Sequence, residues 1–537
     1  MKKNVLKVVA LMLVAMFVLA ACGGGGTAPA DGGNQPPVVN NDNDDNGDDQ
    51  GPITPPTATS RTHLNWALGA MPPSMDPTMA LDMPGSQVGN IVHQGLFTHN
   101  ENMEIVGQLA TDWEFVDAQN LRVWIREGVR FHDGSLLTAE DVAWSLERAG
   151  RSPHVAMVAN MIDTVTVEAP YQVLITLDVP FGAILANLAH TSTSILSQNA
   201  VESVGEEIHQ FAPIGLGPFM VTEYVSGDRI EMVRFDDFWG TAPVLESITM
   251  RAISDGNMRA IELETGTIDI AYNLLPADFN RLRDDPSVNV VSTFAWQADF
   301  IGFNTQRAPF DDVRVRQAIL YAIDEEAMVM AALQGTSRPV NGPLADLVWG
   351  SISAELPGRP FNPDRARELL AEAGLPDGFS TTIWTNQNET RIDMATILQS
   401  DLAMVGIDLS IEVLEWGAYL DMTAAGEHEM FVLGWVASTG DADYGLFPTH
   451  HSSSWGATGN RSFYQNLEVD RLLEEARAEI DPARRLELYA EAQWLIFEDA
   501  PMFYTHQAET LIGTAPDLRG LRLFPNLHHS LTTIYFE

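Results

Sequence analysis

The sequence predicts an α/β fold with several domain-sized cores, and three observations carry that expectation. Of the 537 residues 45% are hydrophobic, apolar material for roughly two to four such cores. Short runs rich in β-branched and aromatic residues alternate with amphipathic stretches of helical period, the pattern of sheets covered by helices. No internal repeat of solenoid type competes with that reading.

The chain opens with Lys2, Lys3 and Lys7 ahead of an apolar run at 8–19, too short to span a bilayer comfortably, which is the layout of an export signal. The run ends in Leu19, Ala20, Ala21 and Cys22. Small residues before the one cysteine of the chain resemble a bacterial lipobox, in which the sulfur is lipidated and Cys22 becomes the new N-terminus. With no second cysteine there is neither an intrachain disulfide nor a cysteine-based zinc cluster. Residues 23–60, rich in glycine, proline, asparagine and aspartate, cannot bury a core and read as a disordered tether. No later stretch is long and apolar enough to span, so the expectation is a protein anchored to the membrane by lipid rather than embedded in it.

All the lysines lie in that first segment, and losing it takes the formal charge from −43 to −46. So acidic a surface repels phosphate backbones, which argues against a nucleic-acid partner. Without lysine the mature chain can form neither a Schiff base nor a P-loop.

From residue 61 the composition becomes globular. Residues 63–68 alternate like a strand and lead into a turn-rich exit at 69–77, and 85–96 places Val88, Ile91, Val92 and Leu96 at near-helical spacing. Residues 109–115, 121–125 and 129–134 read as strands. Thr138 then caps a helix whose first turn carries Glu140 and Asp141, the sign its dipole favours. An amphipathic helix at 312–324 turns Arg314 and Arg316 outward or toward acids, and another at 363–373 has proline at its start and Gly374 past its end. Residues 391–404 and 407–413 read as helix then strand, and 467–497 as two charged helices separated at Asp481 and Pro482.

One stretch carries binding chemistry. Residues 430–433 form an apolar strand that breaks at Gly434 and runs into Ser438, Thr439, Gly440, Asp441 and Asp443. A rigid strand ending in small hydroxyls and carboxylates delivers hydrogen-bonding groups to a cleft, although many such loops only turn the chain. Trp384, Trp416 and Trp435 each stand where a strand gives way to a loop, a position that suits a cleft wall and a core equally. Enzyme signatures are missing: there is no G-x-S-x-G elbow and no H-E-x-x-H pair. The pairs His450-His451 and His528-His529 would send adjacent imidazoles to opposite faces of a strand, one ligand per site, so no metal or cofactor is expected.

REGVRFHDG at 126–134 followed by LTAEDV at 137–142 resembles the extracellular solute-binding proteins of the peptide/nickel ABC-importer family, family 5. PIGLGPF (213–219), LETGTIDI (263–270), GFNT (302–305), PFDDVRVRQA (309–318) and ARELLAEAG (366–374) follow in family order, so the resemblance covers about residues 61–537. It implies a two-lobed, hinge-closing fold of periplasmic-binding-protein type II with an extra third domain. Lobe I would take 61–103, 215–299 and 508–537, the extra domain II 104–214, and lobe III 300–507. The implied function is that of a monomeric, lipid-anchored component on the extracytoplasmic face. It would capture a short peptide or peptide-like solute and pass it to ABC permease and ATPase subunits, with no covalent chemistry. Ordinary di- or oligopeptides, a nickel chelate and a sensory role are alternatives on the same fold.

The resemblance also sharpens the site. The family's crossing point between lobes falls near Asn304 and Arg307, which would offer an amide and a forked cation to the ligand or serve the hinge itself. Relatives that bind ordinary peptides carry an aspartate after the Gly-Trp pair to hold the terminal ammonium, and Ser438 stands there in this chain. WVASTGDAD (435–443) with GFSTTIW (378–384) is more similar to the glutathione-binding branch. Serine cannot neutralise an ammonium, and an unpaired buried charge is costly. Either the ligand is glutathione or another small γ-linked or modified peptide, or Asp441 or Asp443 supplies the missing carboxylate.

Overall fold

A computed structural model describes residues 61–79 and 82–537; the expected export signal, Cys22 and the expected tether lie outside the described residues. Eleven strands form one sheet. Its order is Ile407–Leu414, Phe379–Asn386, Met430–Val436, Asn289–Phe303, Met502–Thr514, Ile270–Tyr272, His63–Leu68, Ser247–Ala252, Arg229–Arg234 and Phe219–Val225, with Ser337–Arg338 also paired to Met502–Thr514. Parallel pairs occur in both outer parts, Phe379–Asn386 with Ile407–Leu414 and His63–Leu68 with Ser247–Ala252. Parallel neighbours need a crossover, which the Glu389–Ala403 helix supplies for the first pair.

Two long strands join the halves. Asn289–Phe303 and Met502–Thr514, 15 and 13 residues, run antiparallel side by side. Residues 289–294 pair with 509–514 next to Ile270–Tyr272, whereas 298–302 pair with 502–507 on one side and 297–303 with Met430–Val436 on the other. The ladder slips twice, once between these zones after Phe294 and once inside the second after Asp299. Side chains satisfy what it leaves open: the Gln507 amide donates to the Ala295 carbonyl at 2.8 Å, and the Thr505 hydroxyl to the Asp299 carbonyl at 3.0 Å.

Each part buries its own core. Met394 and Leu398 of the Glu389–Ala403 helix share one core with Ile383 and Val432 of the sheet, while Val88 of the Met83–Val92 helix shares another with Leu64, Ile248 and Ile512 in the other half. A separate four-stranded antiparallel sheet, ordered Ala110–Phe115, Asn120–Ile125, Gln172–Leu177 and Ile162–Ala169, closes a third core around Leu121, Val142, Leu146 and Ile175. Its covering helix, Ala139–Arg151, starts with the expected Thr138 cap, completed as a capping box by Asp141.

Three local expectations change. Residues 129–134 are a turn closed by a single bridge between Arg130 and Leu136, because the Asp133 carboxylate accepts the Ser135 N–H and hydroxyl and folds the chain back. The helix expected at 85–96 runs Met83–Val92: Asp82 and Pro84 start it earlier, and His93 is already extended. Arg316 neither faces outward nor meets an acid. It donates to the Phe310, Asp499 and Ala500 carbonyls, so it ties down the end of the Pro482–Asp499 helix. Among the described residues no helix is long and apolar enough to cross a membrane.

Candidate functional site

The double slip in the crossing strands forms the floor of a cavity of about 580 Å³, a volume that suits a small organic ligand. Gln297 and Asp299 reach it from one crossing strand and His506 from the other. Gly434 makes room for them: a Cβ there would stand 2.5 Å from the Asp299 carboxylate and 2.7 Å from the Gln297 amide. The walls come from both halves of the sheet and from the segment between residues 104 and 214, with Asn386, Arg391 and Trp416 on one side, Tyr272 and Asn273 opposite, and His190 closing a corner.

Charge on this lining is unevenly satisfied. The Arg259 guanidinium donates to the Ile253, Ser254 and Asn273 carbonyls. Arg391 donates to the Asn386 side chain at 3.0 Å and stands 3.5 Å from the Asp299 carboxylate, whose other oxygen accepts from Gln297 at 2.6 Å. Arg461 is 8% exposed, and its Nε donates to the Thr423 hydroxyl at 3.1 Å. Among the described residues no acceptor meets its terminal nitrogens. Asp82 is fully enclosed, and burial pushes its carboxyl up to about 6 against the opposing pull of the Gly85 amide and the Trp416 indole.

Of the expected site residues, Trp416, Trp435 and Ser438 line the cavity. The Trp435 indole donates to the Tyr444 carbonyl at 2.9 Å, and the two rings lie 5.5 Å apart. Burial raises the pKa of the Tyr444 phenol and the Ser438 hydroxyl acts to lower it, and Tyr444 in turn packs 4.7 Å from His190, so the loop after Gly434 is one face of an aromatic corner. The loop is fixed from below by the Ala437 N–H, which donates to the Trp296 carbonyl at 2.8 Å.

The remaining candidates lie elsewhere. Asp441 caps the Ala442–His450 helix and holds the Arg485 guanidinium at 2.8 and 3.1 Å; Asp443 holds Arg477 at 2.8 and 3.1 Å. Both carboxylates are therefore neutralised behind the wall, and neither lines the cavity as the substitute ammonium partner. Thr439 is buried beneath them, accepting the Asp441 N–H at 3.3 Å. Trp384 belongs to the core, 8% exposed and 6.2 Å from the His428 ring. Asn304 spends its amide on the Gly426 and His428 carbonyls, both at 3.2 Å, and Arg307 is exposed on the turn that follows. Asn304 thus serves the fold at the crossing point. The residues not foreseen are Asp299, Arg391 and Arg461. A carboxylate inside the apolar run 295–303 was the available signal for the first; the arginines carry no local mark.

The histidine pairs do not lie in strands as expected: His450 ends the Ala442–His450 helix, His451 follows it, and His528 and His529 fall in irregular chain. His450 is held between Thr449 and Tyr504, each at 2.7 Å, while His451 meets Ser453 at 2.7 Å. Among the described residues no group of three or more histidine, cysteine, aspartate or glutamate side chains is placed to hold a metal ion.

A sheet divided into two halves by crossing strands, with a polar and aromatic cavity at the crossing, suits the capture of a small solute. The profile of the bacterial extracellular solute-binding proteins, family 5, matches residues 104–457. The glutathione-binding protein GsiB of Pectobacterium atrosepticum is 33% identical over 472 residues, covering 86% of this chain and 91% of that protein. GsiB of Escherichia coli K12 is 32% identical over 473 residues, covering 86% and 92%. Among solved structures, the ABC transporter-associated periplasmic binding protein DppA of Helicobacter pylori, in complex with the peptide STSA, superposes with a TM-score of 0.83 at 28% identity, covering 88% of this chain and 98% of that one. The dipeptide-binding protein of Pseudoalteromonas sp. SM9913, in complex with Met-Leu, gives 0.85 at 25% identity, covering 88% and 100%. This chain belongs to family 5 of the bacterial extracellular solute-binding proteins: it has the two-lobed α/β fold of that family and is a binding protein, not an enzyme.

Proposed function

We propose that the protein is the lipid-anchored capture component of an ABC importer and that its solute is glutathione or a closely related γ-linked peptide. The observation that carries this reading is the Arg461 guanidinium, buried at the cavity with no acid in ion-pair contact and only the exposed Asp421 acting on it at longer range, with a second cation, Arg391, on the same lining. A buried, unpaired guanidinium is costly, so the cavity calls for an anionic solute, and two cations suit one with two carboxylates. Glutathione has two, an ordinary tripeptide with neutral side chains one. The GsiB relatives, glutathione-binding by name, support the same choice.

Capture would work by differential binding. A solute touching both halves of the sheet gains its full contacts in the closed state and shifts the population toward it. The lobes would be 61–103 with 215–299 and 508–537, against 300–507, with 104–214 as the extra domain; the separate core around the four-stranded sheet supports that last assignment. Cys22 would tether the protein to the outer face of the cytoplasmic membrane, with permease and ATPase on other chains. A second reading, an ordinary di- or oligopeptide, draws support from the peptides bound to the solved relatives.

Native mass spectrometry of protein extracted from membranes tests these readings together. The expected spectrum shows a non-covalent adduct of glutathione mass, and a diacylglyceryl mass on the Cys22 N-terminal peptide. Retention of an ordinary peptide instead would contradict the solute, and an unlipidated Cys22 would contradict the anchor.

A further inference from the structure

The cavity holds a carboxylate whose role the fold does not explain. Asp299 is buried within an apolar strand, at the point where the crossing strands slip, yet it turns toward the cavity. The other acids on the lining are committed or open to solvent. Asp82 caps a helix, Glu389 accepts the Gly256 N–H, Glu509 accepts from the Ser292 hydroxyl, and Asp421 is exposed. Asp299 is touched by Gln297 at 2.6 Å and, more loosely, by Arg391 at 3.5 Å and His506 at 3.8 Å.

We propose that Asp299 and Arg391 together read the zwitterionic head of a γ-linked amino acid, Asp299 taking its ammonium and Arg391 its α-carboxylate, while Arg461 takes the far carboxylate. The inference rests on the glutathione-like reading above and adds the residues that select the linkage. In a γ-linked residue one carbon bears both the ammonium and a free carboxylate, so two opposite charges only a few ångströms apart match two opposite charges on the protein. In an ordinary peptide the same carbon bears an ammonium and a neutral amide carbonyl, which leaves Arg391 without its anion. This pair also answers the serine at position 438: the ammonium partner has moved from the loop after Gly434 to the crossing strand beneath it. Gly434 permits the move, since any side chain there would fill the space that Asp299 occupies.

The test uses two isomers, glutathione and the α-linked tripeptide Glu-Cys-Gly, titrated calorimetrically into the ligand-free full chain and into Asp299→Asn and Arg391→Gln. Wild type should prefer glutathione. Asp299→Asn should weaken both isomers by about tenfold or more, because each loses its ammonium partner. Arg391→Gln should weaken glutathione by about tenfold and the α-linked isomer by less than about twofold, with Arg391→Lys recovering part of the preference. Melting curves of each variant check that the fold is retained. If wild type binds glutathione but Asp299→Asn binds it equally well, or Arg391→Gln keeps the preference, the linkage assignment is overturned and the glutathione reading stands. If wild type binds neither isomer, both fall.

Discussion

Asp82 and Ser438 show how single residues set this site. Asp82 caps the Met83–Val92 helix through the Gly85 N–H at 2.9 Å, and burial raises its carboxyl to about 6 from an ordinary value of 3.8. The folded state therefore holds the proton more tightly than the unfolded chain does. Ionisation costs stability fully above pH 6, and the cost fades as pH falls toward 3.8. Asparagine caps a helix about as well as aspartate. Asp82→Asn should thus stabilise the protein at pH 8 by up to about 3 kcal/mol, and match wild type near pH 4, in thermal melts across that range. Ser438→Asp should lower glutathione affinity by about tenfold or more by placing an anion against an anionic solute, or admit ordinary peptides; if calorimetry shows neither, the loop after Gly434 is not a specificity wall. Ser438, Trp416 and Trp435 were legible because a strand-to-loop transition is a local pattern. Asp441 and Asp443 misled because their partners, Arg485 and Arg477, lie 44 and 34 residues further on. Nothing in a short window announces such a pairing.

Secondary-structure elements do the positioning, and one contact between them bears on closure. Glu389 opens the Glu389–Ala403 helix, and its carboxylate accepts the Gly256 N–H at 2.6 Å, at the start of the Gly256–Glu264 helix in the other half of the sheet. An anion at a helix N-terminus is favourable, so this bond latches the two halves across the cavity without any ligand. Glu389→Gln should weaken the latch by about 1 kcal/mol, raising the ligand dissociation constant roughly fivefold, chiefly through faster release in stopped-flow measurements. Unchanged release would show that the contact does not bear on closure. Helices were the more legible elements: the Thr138 cap and the Pro363 start were both readable, since capping chemistry is local. The crossing strands were not, because their double slip depends on pairing between residues more than 200 positions apart. The false strand at 129–134 has alternation enough, but Asp133 turns it.

At the scale of the whole molecule the parts form a hinged clamp. Two long strands join two halves that each have their own core, so the halves can move as bodies while the crossing region absorbs the change. The ladder slips where the cavity floor lies, which couples the solute to the joint: a ligand held by Asp299 sits on the flexing segment itself. The formal charge of −43 keeps such a molecule soluble, and it makes two arginines on the cavity lining, Arg391 and Arg461, the more informative. The family was legible in the sequence because its motifs recur in order along the chain, whereas the solute depends on which charges converge from distant segments. The central claim is that those charges select a γ-linked solute. Isothermal titration of refolded, ligand-free protein with glutathione and, separately, with a mixture of ordinary tripeptides tests it most directly. The account predicts saturable glutathione binding with a dissociation constant of about 1 μM or tighter and much weaker binding of the mixture; tight binding of ordinary tripeptides with none of glutathione would contradict it.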